Sequence, residues 1–138
     1  MDAEDLREIP LFRDLRPRER EKLARWADEV DLPAGKALIE QGSFPHEFFV
    51  LQEGTAEVLF DGEHLANLGP GDFFGEIALM EHHRRTATVV TTSAARVVVM
   101  ASREFGAMER ELPEVAERIR ATMVARREEH RAKTGEEA

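Results

Sequence analysis

The chain of 138 residues contains no cysteine and no tyrosine, and a single tryptophan. Without thiols, disulfides, thiolate nucleophiles, zinc fingers and iron–sulfur clusters are excluded together. Long apolar runs are missing as well. The longest, residues 97–101, falls far short of the roughly 20 residues that cross a bilayer as a helix. The opening residues MDAEDLREIP lack the basic and apolar regions of a secretion signal, so the expectation is a cytoplasmic protein with no membrane partner. Positive charge is the remaining shortage. Nineteen basic residues stand against 28 acidic ones, for a net charge of −9. Nucleic-acid-binding domains usually carry a basic face, so nucleic acid is not an expected partner.

What is present reads as one domain over residues 1–138, long enough to bury about two-thirds of its unfolded surface. Residues 3–30 have helical texture: Leu6, Ile9, Leu11 and Phe12 form an apolar edge. Pro17 then suits a first helical turn, and Leu23, Trp26, Ala27 and Val30 share one stripe of a helix expected over 17–30. Residues 31–101 change to short apolar segments punctuated by turns, with strands expected at 37–40, 47–52, 56–60, 63–68, 86–92 and 95–101. Asp61-Gly62 between two such segments is a hairpin signal. Helix returns over 102–130, with Ser102 as a candidate cap and Leu112, Val115, Ala116, Ile119 and Met123 on one face. That face fades after Val124 into ARREEH, which excludes a long coiled coil and leaves a monomer or weak homodimer. The last fourteen residues balance their charges and read as a fraying, solvated helix end, with 131–138 disordered.

The fold class that follows is α+β, a small β-roll of the jelly-roll type between N-terminal and C-terminal helices. The stretch FGEIALMEHHRRTATV, residues 74–89, carries the chemistry. Residues 75–80 suit a single helical turn, whose first amides lack internal partners, and Gly75 lets a ligand approach the backbone. Arg85 presents a planar fork that matches two phosphate oxygens. Strand alternation starting there places Arg85 and Ala87 on one face, Thr86 and Thr88 on the other. Glu76 beside an anion is consistent if it accepts from ligand hydroxyls while Arg85 lies between the two negative groups. Residue types alone leave two arrangements open: a sugar-phosphate pocket, or a structural Glu76–Arg85 ion pair beside a turn at Gly75.

This stretch resembles the phosphate-binding cassette of cyclic nucleotide-binding domains, a pattern of FGE-[LI]-AL, a short loop, then R-[TSA]-A-[TS]-V. The flanking IPLF, LPAGKALIEQG, FFVLQEGTAEV and LGPGDFFGE are similar to the family's elements in their usual order, so the resemblance spans about residues 6–120. It implies an eight-stranded antiparallel roll, a double-stranded β-helix, with cAMP or cGMP as ligand and no other cofactor. It further implies that Glu76 accepts the ribose 2′-hydroxyl, that Arg85 binds the cyclic phosphate, and that backbone around Gly75, Ile77, Ala78, Thr86 and Ala87 completes the site. Thr86 is compatible with either nucleotide; cAMP is placed first. Ile119 or Met123 would cap the base from the C-terminal helix, whose movement would signal to a separate effector protein. Two departures stand out: Arg84 replaces a proline frequent in the family, and no helix-turn-helix segment follows, so the resemblance is to a free-standing sensor domain or a regulatory piece that acts through a partner.

Three other readings carry less weight. A cupin-like metal enzyme would use His64, His82 and His83, but adjacent histidines diverge and the close His-x-His spacing is missing. No metal ligand set is therefore assigned. Enzymatic acid–base chemistry is disfavoured because an arginine-paired glutamate is held ionised and suits binding. A degenerate roll serving as a docking module would usually have lost the glutamate or the arginine, and both are kept.

Overall fold

The computed structural model describes residues 1–134. Two 3₁₀ turns, Ala3–Glu8 and Pro10–Phe12, precede helix α1, Pro17–Trp26. Eight strands follow: β1 Asp28–Leu32, β2 Ala37–Ile39, β3 Glu47–Glu53, β4 Ala56–Phe60, β5 Glu63–Leu68, β6 Phe73–Phe74, β7 Thr88–Thr91 and β8 Ala95–Ala101. Helix α2, Glu76–Glu81, interrupts them between β6 and β7, and α3, Ser102–Glu111, and α4, Pro113–Thr134, close the chain. The strands form two antiparallel four-stranded sheets, ordered β1-β8-β3-β6 and β2-β7-β4-β5. This is the eight-stranded α+β roll that the resemblance implied.

Strand β3, EFFVLQE, shows why the layers stack as they do. Successive strand side chains point to opposite faces, and here both faces are covered. Phe48 and Val50 join a cluster with Leu6, Phe12, Phe105, Met108, Val115 and Ile119, which seats the terminal helices on the first sheet. Phe49 and Leu51 join Ile39, Leu68, Phe74, Val89 and Val97 between the two sheets. The adjacent Phe73 and Phe74 divide the same way, one into each cluster. Phe48 meets Phe105 of α3 at 4.9 Å between ring centroids, a distance at which tilted aromatic pairs attract beyond simple burial. Apolar on both faces over Phe48–Leu51, β3 lies inside the sheet, between β8 and β6.

The expected hairpin forms at Asp61-Gly62: both residues have positive φ, 52° and 82°, and Phe60 pairs with Glu63. Several boundaries differ from the sequence reading. Helix α1 stops at Trp26, because residues 28–32 pair with β8 from Asp28↔Val99 to Leu32↔Ala95. The apolar Val30, which matched a helical stripe, sits on that edge strand and is largely exposed. Ser102 begins α3 but does not cap it; its amide donates to the His46 carbonyl at 2.8 Å, and Ala101 holds the cap position. The 131–138 tail is helical as far as Thr134; the rest of that expectation lies outside the described residues. No helix among the described residues is long and apolar enough to cross a membrane.

Candidate functional site

Between the sheets, at the end where α2 interrupts the strands, lies a cavity of about 320 Å³. Ile39, Val58, Leu68, Phe74 and Val89 give it apolar walls, and Gly75, Glu76, Arg85, Thr86 and Ala87 line its polar end. Ile77 and Ala78 of α2 also reach it. A mostly apolar cleft of a few hundred Å³ with a few converging polar groups is the usual form of a small-molecule site.

Gly75 turns the chain from β6 into α2 with φ +91°, a conformation that L-residues rarely adopt. It has a second reason to be glycine. A Cβ there would come within 3.0 Å of Arg85 Nη1 and 3.1 Å of the Glu47 carbonyl oxygen. The close approach matters because Arg85 donates from Nη1 to the Gly75 carbonyl at 2.7 Å and from Nη2 to the Glu47 carbonyl at 2.5 Å. The guanidinium is thus fastened to two strand ends, and the residue is only 7% exposed. Burial pushes its pKa down, opposed by the charges of Glu47 and Glu76. The chain around it is pinned too: the Arg85 amide donates to Ser43 and the Gly42 amide to the Arg85 carbonyl, at 2.8 and 2.9 Å.

Strand alternation does not govern Arg85–Ala87. Strand β7 begins only at Thr88, and the residues before it form bends. Thr86 and Ala87 therefore both line the cavity, although alternation had put them on opposite faces. Arg84, in the proline position, stacks its guanidinium 4.6 Å over the exposed Phe44 ring and reaches the Gly42 carbonyl at 3.4 Å. It braces the same loop from the solvent side.

Glu76 is 1% exposed, the most buried charged side chain in the roll. Its partner is not Arg85. Nη1 of Arg126, from the C-terminal half of α4, donates to both carboxylate oxygens at 2.8 and 2.9 Å. The Arg126 guanidinium lies 4.9 Å over the face of Phe73, a cation–π contact that fixes its plane. Burial pushes the Glu76 carboxyl above the ordinary carboxylate range; the charge of Arg126 is the largest influence holding it down. Neither of the two sequence-based arrangements contained this residue, and the Glu76–Arg85 ion pair does not form.

Ile119 and Met123, the candidate base caps, are buried; Ile119 belongs to the cluster under the first sheet. Neither lines the cavity. The residues of α4 that do are Arg126, Glu129, His130 and Lys133. Lys133 donates to the Leu65 carbonyl at 2.8 Å, and the His130 ring packs edge-on against Phe60 at 4.7 Å. One signal could have found them. Positions 119, 123, 126, 130 and 133 follow one another at helical spacing, so the charged residues continue the apolar stripe in register. The three histidines weighed as metal ligands are placed apart: His64 pairs with Glu57 on the hairpin, His82 ends α2, and His83 bonds the Arg84 carbonyl.

One buried arginine and one buried carboxylate thus stand at the polar end of an apolar cleft in a β-roll. The particular family follows from comparison. The model of the cyclic nucleotide-binding domain matches residues 29–111, more than half of the chain, and the chain belongs to that family. A cAMP-dependent protein kinase regulatory subunit of Emericella nidulans is 38% identical over 85 residues, 60% of this chain and 21% of that protein. The chain spans about a fifth of the length of the curated relatives it matches. Two solved structures share the fold. A cAMP-bound PfPKA-R superposes with a TM-score of 0.84 at 23% identity, over 96% of this chain and 46% of that one. The catabolite activator protein of Thermus thermophilus has a TM-score of 0.76 at 27% identity, over 90% and 61%.

Proposed function

We propose that the cavity binds a purine cyclic nucleotide, cAMP first, and that the domain works in the cytoplasm as a sensor whose C-terminal helix passes the signal to a separate effector protein. The observation that carries this reading is the pair of buried charges at the polar end, Glu76 and Arg85. An apolar roll gains nothing by burying them: each ion taken out of water costs several kcal/mol that only well-placed partners offset. A ligand with one anionic group and one nearby hydroxyl uses both. The cyclic phosphate carries one negative charge over two exocyclic oxygens. These suit the N–H donors of the planar Arg85 guanidinium left over from its two carbonyl contacts. The only free ribose hydroxyl, the 2′, donates to Glu76. Backbone around Gly75, Ile77, Ala78, Thr86 and Ala87 surrounds those two atoms, and the apolar walls accept the base.

Similarity supports the choice of ligand. The related regulatory subunits are named for cAMP dependence, and a structure with the same fold holds cAMP. This reading is one of binding rather than turnover: among the described residues, neither serine nor cysteine lines the cavity. The partner is left as a class: a protein that reads the position of α4.

A calorimetric titration of the purified protein with cAMP, and in parallel cGMP, tests the reading. Saturable heat with either establishes the sensor, and the ratio of affinities names its messenger. A folded sample giving no heat and no thermal shift with both would transfer the weight to a docking module.

A further inference from the structure

We infer that Gln41 is a positioning residue for the nucleotide: it staples the β4–β5 hairpin to the loop that places Arg85, and so fixes the spacing between the two ends of the cavity. This rests on the cyclic-nucleotide reading and deepens it with a residue that does not itself line the cavity.

Two separate pieces of chain wall the cavity. Its phosphate end is the segment Arg85–Ala87, and one apolar wall comes from the β4–β5 hairpin through Val58, Leu65 and Ala66. Pairing of β4 with β7 holds the hairpin to the chain from Thr91 back to Thr88, opposite Leu59, and stops there. Residues 85–87 lie beyond the end of that ladder, so other contacts must set their place.

The loop after β2 supplies them. The Gly42 amide donates to the Arg85 carbonyl at 2.9 Å, and the Arg85 amide donates to the Ser43 carbonyl at 2.8 Å. One residue earlier, the Gln41 amide donates to Thr88 Oγ1 at 3.0 Å. Wherever residues 41–43 stand, the backbone of Arg85 follows. Strand β2 ends at Ile39, so its ladder does not reach this loop.

The Gln41 side chain gives the loop its outer anchor. Nε2 donates to Asp61 Oδ1 and Oε1 accepts from the Asp61 amide, both at 2.9 Å. A primary amide suits the task because it donates and accepts side by side, as the Asp61 carboxylate and amide together require. Asp61 is the tip of the hairpin, held at a φ of 52°. One side chain therefore links the hairpin that forms the apolar wall to the loop that sets the phosphate end. Binding groups need such support, because a contact misplaced by a fraction of an ångström is weakened.

Exchanging donor and acceptor tests this. Cyclic AMP is titrated calorimetrically into wild type, Gln41→Ala, Gln41→Glu, Asp61→Asn and the double variant Gln41→Glu/Asp61→Asn, with thermal melts confirming that each is folded. Phosphorus NMR of the bound nucleotide reports the surroundings of its phosphate. Gln41→Ala and Gln41→Glu should each weaken cAMP binding by about three- to tenfold, the range that a net hydrogen bond spans. Both should move the bound phosphorus resonance. Asp61→Asn keeps an acceptor for Nε2 and should lose less than Gln41→Glu. In the double variant the introduced carboxylate accepts from both amides at position 61, at the net charge of the wild type. It should regain wild-type affinity to within about twofold, together with the wild-type resonance. Unchanged affinity in Gln41→Ala, or a double variant no better than Gln41→Glu, overturns the inference. Weaker binding with an unmoved phosphorus resonance makes Gln41 merely structural and overturns it as well. Should wild type bind no cyclic nucleotide, the nucleotide reading falls and this inference with it, which separates the two failures.

Discussion

The two halves of α4 are built from the same helix and do opposite work. From Val115 to Met123 the helix buries an apolar face, with Ile119 wholly inside the cluster under the first sheet. Beyond it, Arg126 reaches Glu76, Arg127 pairs with Glu81 of α2, and Lys133 holds the Leu65 carbonyl of β5. The first half is fixed to the domain by apolar area, whose contribution does not depend on what fills the cavity. The second half is fixed through polar groups that line that cavity. Part of a helix attached to a ligand site by a few polar contacts can respond to the ligand; part attached by a core cannot.

The largest expected effect lies in the first half. Ile119→Ala removes a fully buried side chain and should destabilise the fold by about 2–5 kcal/mol in denaturant titration. Where it remains folded, its cAMP affinity should stay close to wild type, because Ile119 does not line the cavity. Next comes Arg85→Ala, which should cost about 2–5 kcal/mol of cAMP binding by calorimetry, since it leaves a partly buried phosphate unpaired. Its unfolding midpoint should move less than that of Ile119→Ala.

A smaller effect concerns pH. Burial raises the Glu76 pKa, so protonation begins at a higher pH than for an ordinary carboxylate. The ribose hydroxyl donates best to the ionised form, so proton and ligand compete, and affinity should fall as the pH is lowered, beginning above the range of an ordinary carboxylate. Arg85, Arg126, Asp72, Glu129, His130 and Lys133 line the same cavity. Comparison with Glu76→Gln isolates the carboxylate: the acid decline should vanish there. The smallest effect belongs to Lys133→Ala, which removes two exposed contacts, with the Leu65 carbonyl and with Glu129, and should change stability by under about 1 kcal/mol.

Legibility in the sequence follows the same division. Local signals were readable: the apolar run around FFVL, the Asp-Gly hairpin, and the Val115–Ile119–Met123 stripe all correspond to elements that form in the fold. Strand β1 was not, because DEVDL alternates weakly and becomes a strand only through its long-range pairing with β8. Strand β6, two residues long, likewise exists only as a partner of β3. Within the site, Gly75, Glu76 and Arg85 were legible from a compact motif. Arg126 was not read as a site residue: it falls in register with the Ile119–Met123 stripe, but nothing local marks it as the partner of a carboxylate fifty residues away. A charged residue next to others of its kind reads as solvated until the fold supplies its carboxylate.

The most direct test is hydrogen–deuterium exchange along α4 with and without saturating cAMP. The account predicts added protection across residues 126–133 and little change across 115–123. Identical exchange in both segments with and without ligand, or an equal change throughout the helix, would contradict it.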